Sequence, residues 1–227
     1  MNAKDIFYNT LVISIVVQVI TGIIEIFSLF IKVPSPYTII RQLLIMELSV
    51  QMIEGLFYLW LAYNIATITN ITPKRYADWV ITTPTMLITL IMYFIYLKHK
   101  ETNDTEKLQL LDLIRENRVN ISYVLILNWM MLLFGFLGEM KILPTLLGVF
   151  LGFIPFFIYF YIIYENYVIG NNAAKMIFWY FFFFWSLYGV AAVLPYYVKN
   201  ACYNILDLFA KNFFGIFLSY IIISGNY

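Results

Sequence analysis

Polar residues interrupt the first long apolar stretch at Ser14, Gln18, Thr21 and Glu25, offsets of four, seven and eleven. The second stretch repeats those offsets with Glu47, Gln51, Glu54 and Tyr58. Such offsets return to one face of an α-helix, so each stretch predicts a helix with a single polar stripe on an apolar cylinder. A membrane-spanning helix needs about 20 mostly apolar residues. Seven segments qualify: 6–31, 37–63, 76–97, 121–137, 143–164, 173–198 and 201–223. Pro34 and Pro36 mark the first turn, Pro73 precedes the third helix, and Gly170-Asn171-Asn172 separates the fifth from the sixth. The connections are short. The expected architecture is therefore all-α, a seven-transmembrane-helix bundle forming a single domain over residues 1–227.

Composition agrees with a multi-pass integral membrane protein whose first partner is the lipid bilayer. Of 227 residues, 63% are hydrophobic and 12% charged, with a mean hydropathy of +0.82. A soluble domain of this size could not hide so much apolar surface. A formal net charge of +1 argues against nucleic acid or an acidic partner. Cys202 is the only cysteine and His99 the only histidine, so disulfides, metal clusters and histidine triads lack raw material, and neither an enzyme nor a metal site is expected. The apolar run after Lys4 and Asp5 is too long for a cleavable signal and has no small-residue cleavage site.

Loop cations set the expected orientation. Lys32, Arg41, Lys98, Lys100, Lys107, Arg115, Arg118 and Lys175 fall on one side, and Lys4, Lys74, Arg75, Lys141 and Lys199 on the other. The richer side is expected to be cytoplasmic, which puts the N-terminus outside and the C-terminus in the cytoplasm. The longest connection, 98–120, carries Leu108, Leu111 and Ile114 at helical spacing beside Lys107, Asp112 and Arg115, and predicts a short amphipathic helix or an extension of the fourth.

Candidate chemistry centres on Lys211, flanked by Phe209, Phe213 and Phe214 in the last apolar segment, where a charge is costly unless paired or used. Asp207 lies one turn earlier on the same face. By itself this pair is either a buried salt bridge between helices or a lysine that carries a covalent chromophore beside its counter-ion. A second motif opens the third helix: Arg75-Tyr-Ala-Asp78-Trp79-Val-Ile-Thr82-Thr83-Pro84. Arg75, Asp78 and Thr82 share one face, a cation, a carboxylate and a hydroxyl in order, with Thr89 three turns deeper than Asp78 near the same azimuth.

These motifs, with Trp185-Ser-Leu-Tyr188 in the sixth helix and Phe134-Gly-Phe-Leu-Gly-Glu139 closing the fourth, resemble the microbial (type 1) rhodopsins over essentially the whole chain. The resemblance implies all-trans retinal bound through a Schiff base to Lys211. It implies Asp78 and Asp207 as counter-ions, Arg75 as the organiser of the extracellular side, and Trp79, Thr83, Met86, Trp185 and Tyr188 as the retinal pocket. Gly189 departs from the proline usual after the tyrosine, which bears on the bend of the sixth helix. Burial disfavours a protonated Schiff base; one carboxylate about 4 Å away contributes roughly 4 kcal/mol at an effective dielectric of 20, which only roughly offsets that cost. Two carboxylates are enough to hold the charge.

The resemblance also separates pump from channel. Proton pumps of the family usually carry a carboxylate at the position of Thr89, which here is neutral. The polar stripes of the first two helices, with Asn204, Asn212 and Ser219 on the seventh, form a seam where a hydrated cation route could run. Polar stripes also serve as interhelical hydrogen-bond glue, although glue rarely needs three carboxylates. The seam is similar to that of the channelrhodopsins: Glu54 matches their central-gate glutamate, Ser14 the gate serine, Asn212 the gate asparagine, and Glu47 a glutamate one step toward the cytoplasm. With the short chain, the set most resembles the group-1 viral rhodopsins. It implies a light-gated cation channel passing small cations or protons along Ser14, Glu47, Glu54, Arg75, Thr82 and Asn212. The expected gate is a hydrogen-bonded constriction of Ser14, Glu54 and Asn212, and substitution of Glu54 is expected to leave the absorption spectrum nearly unchanged. An outward proton pump is the alternative reading, with a sensory rhodopsin third; a homo-oligomer stays open.

Overall fold

The computed structural model describes residues 2–65, 67, 70–102 and 108–227. Among them, seven helical stretches are long and apolar enough to cross a membrane. They run α1 (Ala3–Leu29), α2 (Thr38–Asn64), α3 (Thr72–Glu101), α5 (Arg118–Glu139), α6 (Thr145–Ile163), α7 (Asn172–Ala192) and a composite last span of α8 (Tyr196–Asp207) and α9 (Phe213–Ser224). The short α4 (Leu110–Glu116) lies between the third and fourth spans. Lys107, one of the expected loop cations, lies outside the described residues.

Local chemistry explains most boundaries. Asn2 and Asp5 cap α1 reciprocally: each side chain accepts from the other's backbone N–H, at 2.9 Å and 3.2 Å. Pro73 sits in the first turn of α3, where its missing N–H costs nothing. Pro84, inside α3, cannot bond the Val80 carbonyl; the Trp129 indole N–H from α5 does so instead at 3.0 Å. Gly170 turns the chain at φ +95°, and Asn171 then caps α7 by accepting from Ala174 N–H at 2.7 Å.

Two sequence expectations need correction. The sixth span ends at Ala192, not near 198, and the seventh begins at Tyr196. Apolarity runs on through Val193, Leu194 and Val198, but Pro195 has no N–H to continue the ladder and instead precedes the new helix. Lys199 is consequently not a loop cation. It lies buried in α8, paired with Glu139 of α5 at 2.7 Å. In the connector helix, Leu113 turns inward and Leu111 is 74% exposed, because the helix starts only at Leu110 and leaves Leu108 outside its register.

Enclosure is uneven, and this decides where charge can sit. The most apolar windows of α3 and the last span are 67% and 61% buried, against 28% for α5 and α7. α3 and the last span therefore form the inner pair, with α1 and α2 completing a buried polar wall. On the opposite side α5 and α6 close over small residues. A Cβ at Gly148 would stand 2.8 Å from the Phe134 carbonyl oxygen and 3.0 Å from Gly138 Cα. α7 runs unbroken past Gly189, where an added Cβ would meet the Phe153 ring at 2.5 Å. Glycine there admits a neighbouring ring where the family usually has proline. Gly148→Ala is expected to push α5 and α6 apart and destabilise the bundle by about 1–3 kcal/mol, the usual cost of overpacking. Thermal unfolding in detergent checks this, and an unchanged midpoint would refute the close-packing account.

Candidate functional site

At the middle of the last span the α-helix gives way to a π-helical turn, Leu208–Asn212. Such an insertion turns successive side chains outside the ordinary α register and often marks a working site. Here it presents Lys211 and Asn212 inward, 5% and 2% exposed. Lys211 Nζ donates to Asp78 Oδ2 at 2.6 Å and lies 3.5 Å from Glu54 Oε1 and 3.8 Å from Asp207 Oδ1. Sequence reasoning foresaw the two aspartates. It assigned Glu54 to a gate with Ser14 and Asn212 and not to the lysine's counter-ions, whereas the structure makes it a third carboxylate of the same cluster.

Asp207 is held from three sides. Tyr58 O–H donates to Oδ2 and Tyr188 O–H to Oδ1, each at 2.7 Å, while Arg75 Nη1 reaches Oδ2 at 3.3 Å. Arg75 is fully buried. It donates to Asn200 Oδ1 at 3.1 Å, to the Tyr58 hydroxyl at 3.3 Å and to Asn204 Oδ1. Asn200 in turn donates to Thr72 at 3.0 Å. Tyr58, Asn200 and Asn204 are functional neighbours that no motif announced, although Tyr58 and Asn204 stood on the polar seam. Thr82 is buried beside this face, but its hydroxyl donates to the Asp78 backbone carbonyl at 3.0 Å.

From Lys211 an apolar cavity opens between α3, α5, α6 and α7. Trp79, Thr83 and Met86 line it from α3, and Trp185 and Tyr188 from α7. Tyr203, Met131, Phe153 and Phe156 also line it and carried no sequence signal beyond being aromatic or apolar. Trp79 stands edge-on to Tyr188 and Tyr203, with centroids 5.5 Å and 5.1 Å apart. Asn128 of α5 donates to the Thr83 hydroxyl at 2.8 Å, which fixes that wall. A slot walled by aromatic rings and ending on a buried amine suits a long apolar molecule with a carbonyl at one end.

Beyond the lysine, the polar seam follows α1, α2 and the last span, and it does not form the expected gate. Ser14 donates to the Asn204 carbonyl at 2.8 Å, Asn212 donates to Thr21 at 2.9 Å, and Glu54 faces Lys211. Asn204 and Asn212 are separated by eight positions, about 12 Å of helical rise, so Ser14 and Asn212 cannot belong to one constriction. Deeper still, the Glu47 carboxyl lies against Thr89 without a well-formed hydrogen bond. The Thr89 hydroxyl gives its proton to the Thr85 carbonyl at 3.0 Å. Glu25 is fully buried over Gly215, where any side chain would collide with its carboxylate.

The sequence matches the model of the bacteriorhodopsin-like protein family over residues 7–225. Among solved structures, the viral rhodopsin OLPVRII is 26% identical, with a TM-score of 0.81 over 98% of this chain and 99% of that one. A blue light-absorbing proteorhodopsin from Med12 is 18% identical, with a TM-score of 0.71 over 97% and 98%. The bromide-bound halorhodopsin from Halobacterium salinarum is 13% identical, with a TM-score of 0.74 over 99% and 96%; these last two likenesses speak to the fold. No curated protein sequence matches. Members of this family are photoreceptors, ion pumps or channels that carry retinal, and they are not enzymes. The chain belongs to the bacteriorhodopsin-like family of microbial rhodopsins and is an integral, multi-pass membrane protein.

Proposed function

We propose that this protein is a light-gated cation channel, with retinal held at Lys211 and the N-terminus outside the cell. The cavity fits the group: its aromatic walls lead to a lysine buried among three carboxylates. When bound, retinal supplies light absorption and a light-driven change of shape at its link to Lys211 Nζ. The chain does the rest. Asp78, the nearest carboxylate, balances the charge at that nitrogen and is placed to take its proton. Asp207 adds a second anion whose position Tyr58, Tyr188 and Arg75 hold. Trp79 and Trp185 confine the slot, and Thr83 and Met86 shape its α3 side.

One observation carries the channel reading. On the Lys211–C-terminal side, buried polar groups of α1, α2 and the last span face one another with few protein partners. The carboxylates of Glu25, Glu47 and Glu54, the Gln18 amide, Asn212 Oδ1 and Ser219 Oγ make no hydrogen bond to protein groups. Buried groups of this kind draw water or ions, and in line they make a hydrated cation route. Ser14, Arg75 and Thr82 would line its extracellular half, and Asn212 and Glu47 its cytoplasmic half. A second reading, an outward proton pump, is favoured by the Glu47 carboxyl beside Thr89, which puts a proton source near the depth where family pumps keep theirs.

Lys211→Ala should abolish the visible absorption band of protein supplied with retinal while leaving the helical circular dichroism intact; a surviving acid-stable band would sink the attachment site. Asp78→Asn should move the absorption maximum to longer wavelength, since removal of an anion 2.6 Å from the nitrogen leaves its ground-state charge less stabilised. Glu54→Gln should shift it the same way by less, because its oxygen lies at 3.5 Å; identical spectra for both variants and wild type would remove these groups from the counter-ion set. Voltage-clamp recording decides the larger question. A channel's photocurrent reverses near the cation equilibrium potential, whereas current outward at every moderate voltage and indifferent to external cations establishes the pump.

A further inference from the structure

Where Ser14, Glu54 and Asn212 fail to meet, Asn212 joins two other side chains, Thr21 and Gln51. Thr21 of α1 receives hydrogen bonds from Gln51 Nε2 of α2 at 2.5 Å and from Asn212 Nδ2 of the last span at 2.9 Å. Its own proton goes to the Gln18 carbonyl at 3.2 Å. A hydroxyl has one donor and two acceptor positions, so Thr21 is saturated. Gln51 Nε2 spends its second hydrogen on the same Gln18 carbonyl at 2.7 Å, which also fixes which end of that amide faces α1. All three side chains are buried, at 9%, 7% and 2% exposure. Gly22 permits the approach: a Cβ there would stand 3.2 Å from Gln51 Nε2.

Two covalent links tie this knot to the charge cluster. Asn212 follows Lys211 directly inside the π-helical turn, and Gln51 lies three residues before Glu54 on the same face of α2. A displacement of the lysine thus reaches the knot through the chain itself. Asn212 spends one amide hydrogen on Thr21 and leaves its carbonyl oxygen without a protein partner, so it is held less firmly than Gln51, which makes two hydrogen bonds to α1.

We propose that Thr21, clamped by Gln51 and Asn212, is the closing point of the route: it seals α1, α2 and the last span together in the dark and parts when Asn212 is pulled by its neighbour. This rests on the channel reading above. Without the clamp the closed state loses one to two net hydrogen bonds, so channel closing after the light is switched off should slow by about tenfold in Thr21→Val. A dark leak should appear as well. Gln51→Leu should behave alike, and the double variant should be no slower than either single one, because both remove one clamp. Thr21→Ser, which keeps the hydroxyl, should close as wild type does. All should retain the wild-type absorption maximum, which also reports correct folding. If Thr21→Val does not bind retinal, Gly22→Ala loosens the clamp without deleting a polar group and should slow closing too. A readout independent of conduction is a light-minus-dark infrared band of the side-chain amides, reduced in Gln51→Leu to the Asn212 contribution, altered in Thr21→Val and restored in Thr21→Ser. Wild-type closing in every variant, with that band unchanged, overturns the clamp and leaves the channel standing. A pump-like current with the band present overturns the channel and the gating role, leaving only a light-sensitive contact.

Discussion

Burial of two cations among three carboxylates is the constraint on which the rest depends. At effective dielectric 20, each close ion pair is worth roughly 4 kcal/mol, and stripping one partner from a buried pair typically costs about 3–5 kcal/mol. Lys211 and Arg75 therefore cannot be placed independently of Asp78, Asp207 and Glu54. Four elements have to deliver those side chains to one point: α2, α3, α8 and the π-helical turn. That demand explains why the last span is broken in register at Leu208–Asn212, and why α3 and that span are the most enclosed of the bundle.

The two sides of the cluster differ in kind. Toward the N-terminal end, Arg75 is gripped by Asn200, Asn204, Tyr58 and Asp207, and Asn200 is anchored to Thr72. Fully satisfied networks of this sort rigidify their surroundings. On the other side, Glu25, Glu47 and Gln18 are equally buried yet lack protein partners. With retinal held at Lys211 as proposed, a photochemical event there would act between a stiff half and a compliant one, and the change would be taken up on the compliant side.

What the sequence disclosed and what it hid follow from the range of each signal. The Asp207–Lys211 pair and the Arg75, Asp78 and Thr82 face were legible because each set sits at fixed offsets within its own helix, and periodicity reports such offsets faithfully; the α3 side of the cavity was legible only through the resemblance to the microbial rhodopsins. The seven spans were legible from apolar length alone. The end of the sixth was missed because Val193–Val198 stays apolar across a break that only Pro195 marks. Glu54 was seen as a buried carboxylate, but its approach to Lys211 depends on how far α2 is advanced against the last span, which no single-helix pattern encodes. The Ser14–Asn212 pairing failed for the same reason, by about 12 Å of axial offset. Lys199 looked like a loop cation because its partner Glu139 lies 60 residues away.

The position of Gln51 and Glu54 on one helix face has a mechanical consequence. Besides the Tyr58–Asp207 hydrogen bond, two links between α2 and the last span pass through adjacent residues of the same π-helical turn: Glu54 to Lys211 by charge, and Gln51 through Thr21 to Asn212 by hydrogen bonds. An ordinary α-helix would turn consecutive residues about 100° apart and could not aim both inward at neighbouring partners with equal ease. The extra residue of the π-helical turn relaxes that restriction. The cost is a locally weakened ladder beside Lys211. The same irregularity gathers lysine and asparagine onto the α1–α2 wall, so on the proposed reading the retinal site and the Thr21 clamp would change together while the saturated Arg75 network stays in place.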